Sequence, residues 1–176
     1  MPKTSDLTPR IYVACLAAYN NGKLHGAWID ANQDADAIET AVKEMLAKSP
    51  EQGAEEWRID DEEGFCGLSL DNMGFAEISN AAELIERRGC LGVEVMKHCG
   101  IDAEDAERCL DENYEGEWLR LSDWAWDYLE SVGMLAGVSE EIVRYFDVKA
   151  WARDQAINGD IFTIELDGMT HVFRNR

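Results

Sequence analysis

Five cysteines and three histidines are the residues of this chain best suited to metal binding or nucleophilic attack, and their spacing supports neither. Cys15, Cys66, Cys90, Cys99 and Cys109 form no Cys-x-x-Cys pair, whereas a structural zinc site is built from closely spaced ligand pairs. Their odd number and irregular separations also argue against a disulfide framework, so they read as buried free thiols in a reducing cytoplasm. His25, His98 and His171 lie far apart, and no local signature of a Cys/His nucleophile surrounds any cysteine. Asp30-x-Asn32-x-Asp34-x-Asp36 alternates like a calcium loop. Ala35 stands where that loop needs glycine, though, and Ala41 where it needs a bidentate glutamate. An acidic cluster at a helix N-terminus explains the run better. Asp60-Asp61-Glu62-Glu63 has the residue types for Mg²⁺ or acid–base work, but adjacent acids in a loop more often face solvent. There is no phosphate-cradling glycine loop and no Gly-x-Ser-x-Gly elbow. Nothing here points to an enzyme, a metal site or a cofactor.

The elements that would carry these residues follow from hydropathy periodicity and turn residues. Arg10 to Ala18 is an apolar, β-prone run, Asn20-Asn21-Gly22 is a turn signal, and Leu24 to Ile29 completes a hairpin. Apolar positions from Ala37 to Leu46 recur every three or four residues, predicting a helix over 34–48 that Ser49-Pro50 ends. Glu56 to Asp60 alternates as a third strand, and the glycine-bearing stretch 61–74 reads as a loop. Ser79 is placed to cap a helix running to Arg88, and two short helices follow at 91–99 and 102–110. A strand at Glu117–Leu121 leads to a helix over 123–132 capped by Ser122. Helices at 139–146 and 147–157 follow, then a hairpin of 161–165 and 170–173 joined through Asp167-Gly168. The fold class is α+β: a β-β-α-β unit at the N-terminus, a helical middle, and a mixed helix and antiparallel-strand unit at the C-terminus. Trp118, Trp124, Trp126 and Tyr128 read mainly as core. Trp124 and Tyr128 share one helix face while Trp126 points elsewhere, which leaves one of these rings for an interface.

The 176 residues carry 36 acidic and 16 basic side chains, a formal charge of −20. An apolar fraction of 46% can still build a core, and no apolar run reaches the ~18 residues of a membrane span. The start, Met1 to Asp6, has no apolar signal core, so a cytoplasmic protein is expected. Direct nucleic-acid binding needs a basic stripe, and the balance here is the reverse. The middle third, 61–120, is the most acidic, at −11. In the helix from Asp102, Ala106, Cys109 and Leu110 would face inward while Glu104, Glu107 and Asp111 repel one another outside. A charge of about 2–8 in magnitude is enough for solubility. The excess admits a salt-adapted solvated surface, or carboxylates standing in for phosphates. Duplex DNA carries one charge per ~1.7 Å, so twenty net charges equal roughly ten base pairs.

The order of residues narrows the choice. Ile11-Tyr12-Val13-Ala14-Cys15-Leu16-Ala17-Ala18-Tyr19-Asn20-Asn21-Gly22 through Gly26-Ala27-Trp28-Ile29-Asp30 closely resembles the start of ArdA antirestriction proteins. Glu55 to Phe65 is similar to the family's next block. Tyr145-Phe146-Asp147-Val148, Ala152-Arg153-Asp154 and His171-Val172-Phe173 resemble its ending. The resemblance implies an elongated chain of three small units that dimerises and imitates bent B-DNA, occupying the DNA-binding groove of Type I restriction-modification enzymes. It brings no catalytic residue and no cofactor. The extension through Pro9 departs from the pattern and is expected to be peripheral. Tyr19, Gly22, Gly26 and Trp28 read as fold-specifying, the glycines for turn geometry and the aromatics for packing.

These readings assign 1–62 to an N-terminal sheet and helix, 63–113 to an acidic helical middle, and 114–176 to a C-terminal α+β unit that dimerises. The expected target-binding surface is distributed over Glu62, Glu63, Glu77, Glu83, Glu86, Glu104, Asp105, Glu107, Asp111, Glu112, Glu115 and Glu117. Trp118 and Leu119 are placed at the homodimer interface. The rival reading is an acidic adaptor for a basic partner unrelated to restriction.

Overall fold

The structure, a computed structural model, describes residues 8–175. The expectations that fall on Met1 to Asp6 lie outside the described residues. Fold class is as expected: the described residues form eight helices and two antiparallel three-stranded sheets. The described residues divide into two compact units, 8–107 and 108–175.

In the first unit β1 (Arg10–Cys15) lies between β2 (Gly26–Asp30) and β3 (Trp57–Glu63). The register pairs Tyr12 with Trp28 and with Asp61, and a bulge between Tyr12 and Val13 leaves Asp60 as the extra residue. The expected hairpin is present, but its first strand stops early. Residues 16–20 form α1 (Leu16–Asn20), because Ala17 and Ala18 serve a helical turn better than a strand and bury Ala18. Pro9 is not peripheral: it is buried, and its carbonyl accepts the Ala31 amide.

α2 (Ala35–Ala47) packs on β1 and β2, α3 (Phe75–Arg88) packs on α2, and α4 (Cys90–Cys99) packs on α3. Ile11 and Val13 from β1 meet Ile38, Val42 and Met45 from α2, and the same core takes in Phe65, Leu70, Ile78, Ile85 and Val93. Residues on both sides of position 62 therefore fill one core. The helix expected from Ser79 starts at Phe75 instead. The Glu77 carboxylate accepts the Gly74 amide at 2.7 Å and so fixes the N-terminus upstream. Ser79 lies inside the helix and donates to the Gln33 carbonyl at 2.7 Å.

The reading of all five cysteines as free thiols is overturned by a disulfide between Cys66 and Cys90. Counting cysteines excluded a framework, but one bridge needs only two residues that packing brings together. Here they are a loop residue after β3 and the first residue of α4. Cys15 is a buried thiol and Cys99 an exposed one.

α5 (Ala103–Asn113) contains the division between the two units. In the second unit the sheet order is β4-β6-β5, with β4 (Tyr114–Trp118), β5 (Ile161–Leu166) and β6 (Met169–Arg174). β4 begins three residues before its expected start, and the register shifts between Tyr114 and Gly116, where φ is +139°. Ser122 is not a cap: α6 (Leu121–Ser131) starts before it, with Arg120 at the N-cap. After α7 (Glu140–Val143), Asp147 caps α8 (Val148–Ile157) by accepting the Ala150 amide at 2.9 Å. Trp124 is buried, as expected, and stacks on Tyr128 and Trp151 over Ala152, Ile161 and Val172. Trp126 is 39% exposed.

Gly26 shows why a family motif needs glycine where no turn occurs. A Cβ there would lie 2.6 Å from the Val13 carbonyl oxygen and 2.7 Å from the Tyr12 ring. Gly26→Ala is expected to cost about 1–3 kcal/mol, seen as a lower urea midpoint with unchanged slope. Alkylation of denatured, unreduced chain should mark the three thiols Cys15, Cys99 and Cys109, and prior reduction should raise the count to all five cysteines.

Candidate functional site

The chain's chemically distinctive feature is its surplus of carboxylates, and their placement depends first on where the cations go. Residues 1–107 hold 22 acidic and 9 basic side chains, and residues 108–176 hold 14 and 7. Most cations among the described residues are spent locally. Lys23 binds Glu51 at 2.7 Å, Lys43 binds Glu39 at 2.6 Å and Lys97 binds Glu94 at 2.6 Å. Arg58 pairs with Asp60 and lies over the Tyr19 ring, and Arg10 binds Glu63 at 2.7 Å while lying over Trp28. Tyr19 is thus an exposed platform for a guanidinium, not the core aromatic its motif suggested.

The twelve expected surface acids therefore separate by what holds them. Glu63, Glu107 and Glu115 are structural. Glu107 takes Arg87 at 3.1 Å and Arg88 at 3.6 Å, so the arginines of α3 relieve the repulsion expected along α5. Arg87 also reaches Glu83 at 3.3 Å. Glu115 accepts Arg174 Nε at 2.6 Å and Trp124 Nε1 at 3.0 Å, tying β4 to β6 and to the second core. That pairing raises the Arg174 pKa, with the hydrogen bond to Glu115 as its main cause. The buried Arg174 Nη2 has no hydrogen-bond acceptor, but the guanidinium lies 4.6 Å from the centre of the Tyr128 ring. Glu77 caps α3, and Glu86 accepts Asn32 Nδ2 at 2.7 Å.

Glu62, Glu104, Asp111, Glu112 and Glu117 are exposed, and Asp105 is half-buried. Glu117 lies 3.8 Å from Nε2 of the buried His171, whose Nδ1 bonds the Tyr114 hydroxyl at 2.8 Å. Burial there, and secondarily the Glu117 charge, push the Tyr114 pKa up. Asp60 to Glu63 lie on edge strand β3, not in a loop, and their charges guard that edge against further pairing. Asp34 at the N-cap of α2, and Asp36 and Glu44 on it, add exposed acids that the expected set omits. A charge count along 30–44 was the signal for them. Asp30 Oδ1 is engaged by the Asn32 amide at 2.9 Å, a local turn contact. No group of three or more His, Cys, Asp or Glu is placed to hold a metal among the described residues. No helix among them is long and apolar enough to cross a membrane.

A family profile described as Antirestriction protein (ArdA) matches residues 11–169, nearly the whole chain. The chain belongs to the ArdA family. No curated protein matches it at a significant level. ArdA membership supports an antirestriction function and implies interaction with restriction-modification enzymes.

Because carboxylates of this ArdA chain divide into clamps and surface charges, Glu115→Gln should lower unfolding free energy by about 1–3 kcal/mol. Glu112→Gln should change it by no more than about 0.5 kcal/mol. Chemical denaturation of both variants checks the contrast. The Lys23 hydrogen bond holds the Glu51 pKa below its ordinary 4.5. The contribution of that pair is therefore present above pH 4.5 and lost as pH falls through the lower folded value. Acid denaturation of Lys23→Met should show a smaller loss over that window than the parent chain.

Proposed function

We propose that this ArdA protein is a stoichiometric inhibitor that presents surplus carboxylates in place of DNA phosphates to the binding groove of a Type I restriction-modification enzyme. The observation that carries the reading is the division just described, in which most described cations pair with neighbouring acids while Glu62, Glu104 and Glu112 are exposed. α5 makes the density argument concrete. Glu104, Asp105, Asp111 and Glu112, the acids of α5 outside the Glu107 clamp, fall within nine residues, which is ~12 Å of helix. That is one acid per ~4 Å, against the ~3.4 Å phosphate spacing along one DNA strand. Lysines and arginines lining a DNA groove would satisfy these oxygens by charge-assisted hydrogen bonds. Long-range attraction would speed the encounter. The carboxylates offer no scissile phosphodiester and no base to methylate, so occupancy itself inhibits and no catalysis by this chain is required.

A second part of the proposal is a homodimer formed through residues 108–176. β4 is an edge strand, and Leu119 beyond it is 62% exposed. Trp118 is partly buried and donates Nε1 to Asp127 at 2.7 Å, so Leu119 is the cleaner contact. Val132, Met134, Ile142 and Tyr145 are also exposed, and no residue from Glu130 to Arg144 is buried. Apolar groups this numerous and unburied are the material of an interface between copies.

The test of the inhibitor reading is competition with duplex DNA for a purified Type I enzyme at rising salt. DNA should displace the protein, and apparent affinity should fall steeply with salt. Glu62→Gln, Glu104→Gln or Glu112→Gln alone should alter inhibition by no more than about twofold, whereas four to six combined neutralisations should weaken it by at least about tenfold. Inhibition indifferent to DNA and salt would refute the reading and favour an acidic adaptor. Leu119→Asp with Ile142→Asp should halve the mass measured by light scattering, and an unchanged mass would refute this dimer surface.

A further inference from the structure

We infer that the free edge of β2, with the groove between it and α2, is a docking site for an extended, basic segment of a partner protein, bound by strand addition. The inference stands on the geometry of the first sheet and not on the inhibitor reading above. Strand order places β2 at an edge. The Cys15 amide donates to the His25 carbonyl and the Ala31 amide to the Pro9 carbonyl, so odd-numbered residues of β2 exchange bonds with β1. The amides and carbonyls of Gly26 and Trp28 therefore point away from the sheet, as does the Asp30 amide. The Asp30 carbonyl is already taken by Gln33 Nε2 at 2.6 Å. At the other end the His25 ring bonds the Met45 carbonyl at 2.7 Å, which closes the last turn of α2. Two side chains thus bracket an open stretch of edge between them.

Beside this edge lies a groove of about 390 Å³ lined by β2 and by Ala41, Glu44, Met45 and Lys48 of α2 and its C-cap. Its floor is apolar, and Asp30 and Glu44 supply carboxylates along it, with Lys48 at the His25 end. The other sheet edges carry acids: Asp60, Asp61 and Glu62 on β3, Glu115 and Glu117 on β4, Glu165 on β5. β2 instead presents Gly26, Ala27 and a 38% exposed Trp28, with an acid only at its end. Charged side chains are the usual guard on an exposed edge, and here that guard is thinnest where a groove adjoins it. A second copy of this chain would bring more negative charge to an acidic rim. A strand bearing lysine or arginine at the positions that face α2 would meet Glu44 in a groove that Asp30 also lines, and would pair its backbone with Gly26 and Trp28.

The probe is a capped decapeptide of alternating valine and lysine, compared with the same peptide N-methylated at alternate residues to abolish pairing while keeping charge. Hydrogen exchange by NMR on the full chain should show the Gly26 and Trp28 amides slowed at least about tenfold by the first peptide and unaffected by the second. Glu44→Lys should weaken binding of the first peptide by about tenfold and leave the spectrum otherwise folded. Equal binding of the two peptides without protection would mean attraction by charge alone and would overturn the inference, as would no binding. Protection of the same amides by rising protein concentration without peptide would replace the basic partner by a second copy.

Discussion

Electrostatic self-repulsion is the constraint on which this structure turns. A chain of 176 residues at −20 must fold while like charges crowd its surface. It does so by placing scarce cations where carboxylates would otherwise oppose packing. Arg10 with Glu63, Arg87 and Arg88 with Glu107, and Arg174 with Glu115 each join elements that are separate in sequence. Exposed pairs of this sort contribute about 0–1 kcal/mol apiece, so they do not drive folding. Their effect is to remove repulsion at the seams of two cores whose stability comes from buried apolar surface. What remains is negative charge concentrated where no seam requires neutralising.

That arrangement links stability to function. The second core shows it at one residue: Glu115 accepts from the indole of Trp124 and from Arg174, whose guanidinium also covers Tyr128. Its neighbour Glu117 points outward with 59% of its side chain exposed. The register shift between Tyr114 and Gly116 breaks the alternation of β4, so one carboxylate turns to Arg174 and Trp124 while another is left for solvent or a partner. The same logic operates on α5, where Glu107 is clamped from α3 while Glu104 and Glu112 are exposed.

Much of the fold was legible because periodicity and turn residues report local physics. α2 matches its apolar spacing within a residue or so at either end, and Asp167-Gly168 joins the final hairpin as expected. Errors arose where a tertiary contact outweighed a local preference. Ser79 is a good cap by residue type, yet Glu77 captures the Gly74 amide and starts α3 earlier. Residues 16–18 continue the apolar run of β1 and so read as strand, but the alanines and the burial of Ala18 against the first core favour a helical turn. The Cys66–Cys90 bridge was illegible because nothing in a separation of 24 residues shows that a loop and a helix start will meet.

The candidate site was legible only as a total. Its family signature lies in residues such as Gly26, where any side chain would strike Val13 and Tyr12, and those residues specify a scaffold rather than a contact. A distributed charge surface needs no particular carboxylate at a particular position, so the residues that identify the family and the residues proposed to perform its function differ. Only the network of clamps separates the two kinds of acid, and a network depends on which chain segments the cores bring together. Glu115 and Glu112 look alike in sequence. One holds Arg174 and Trp124, while the other is exposed on α5. Function on such a scaffold is set by what folding leaves unneutralised.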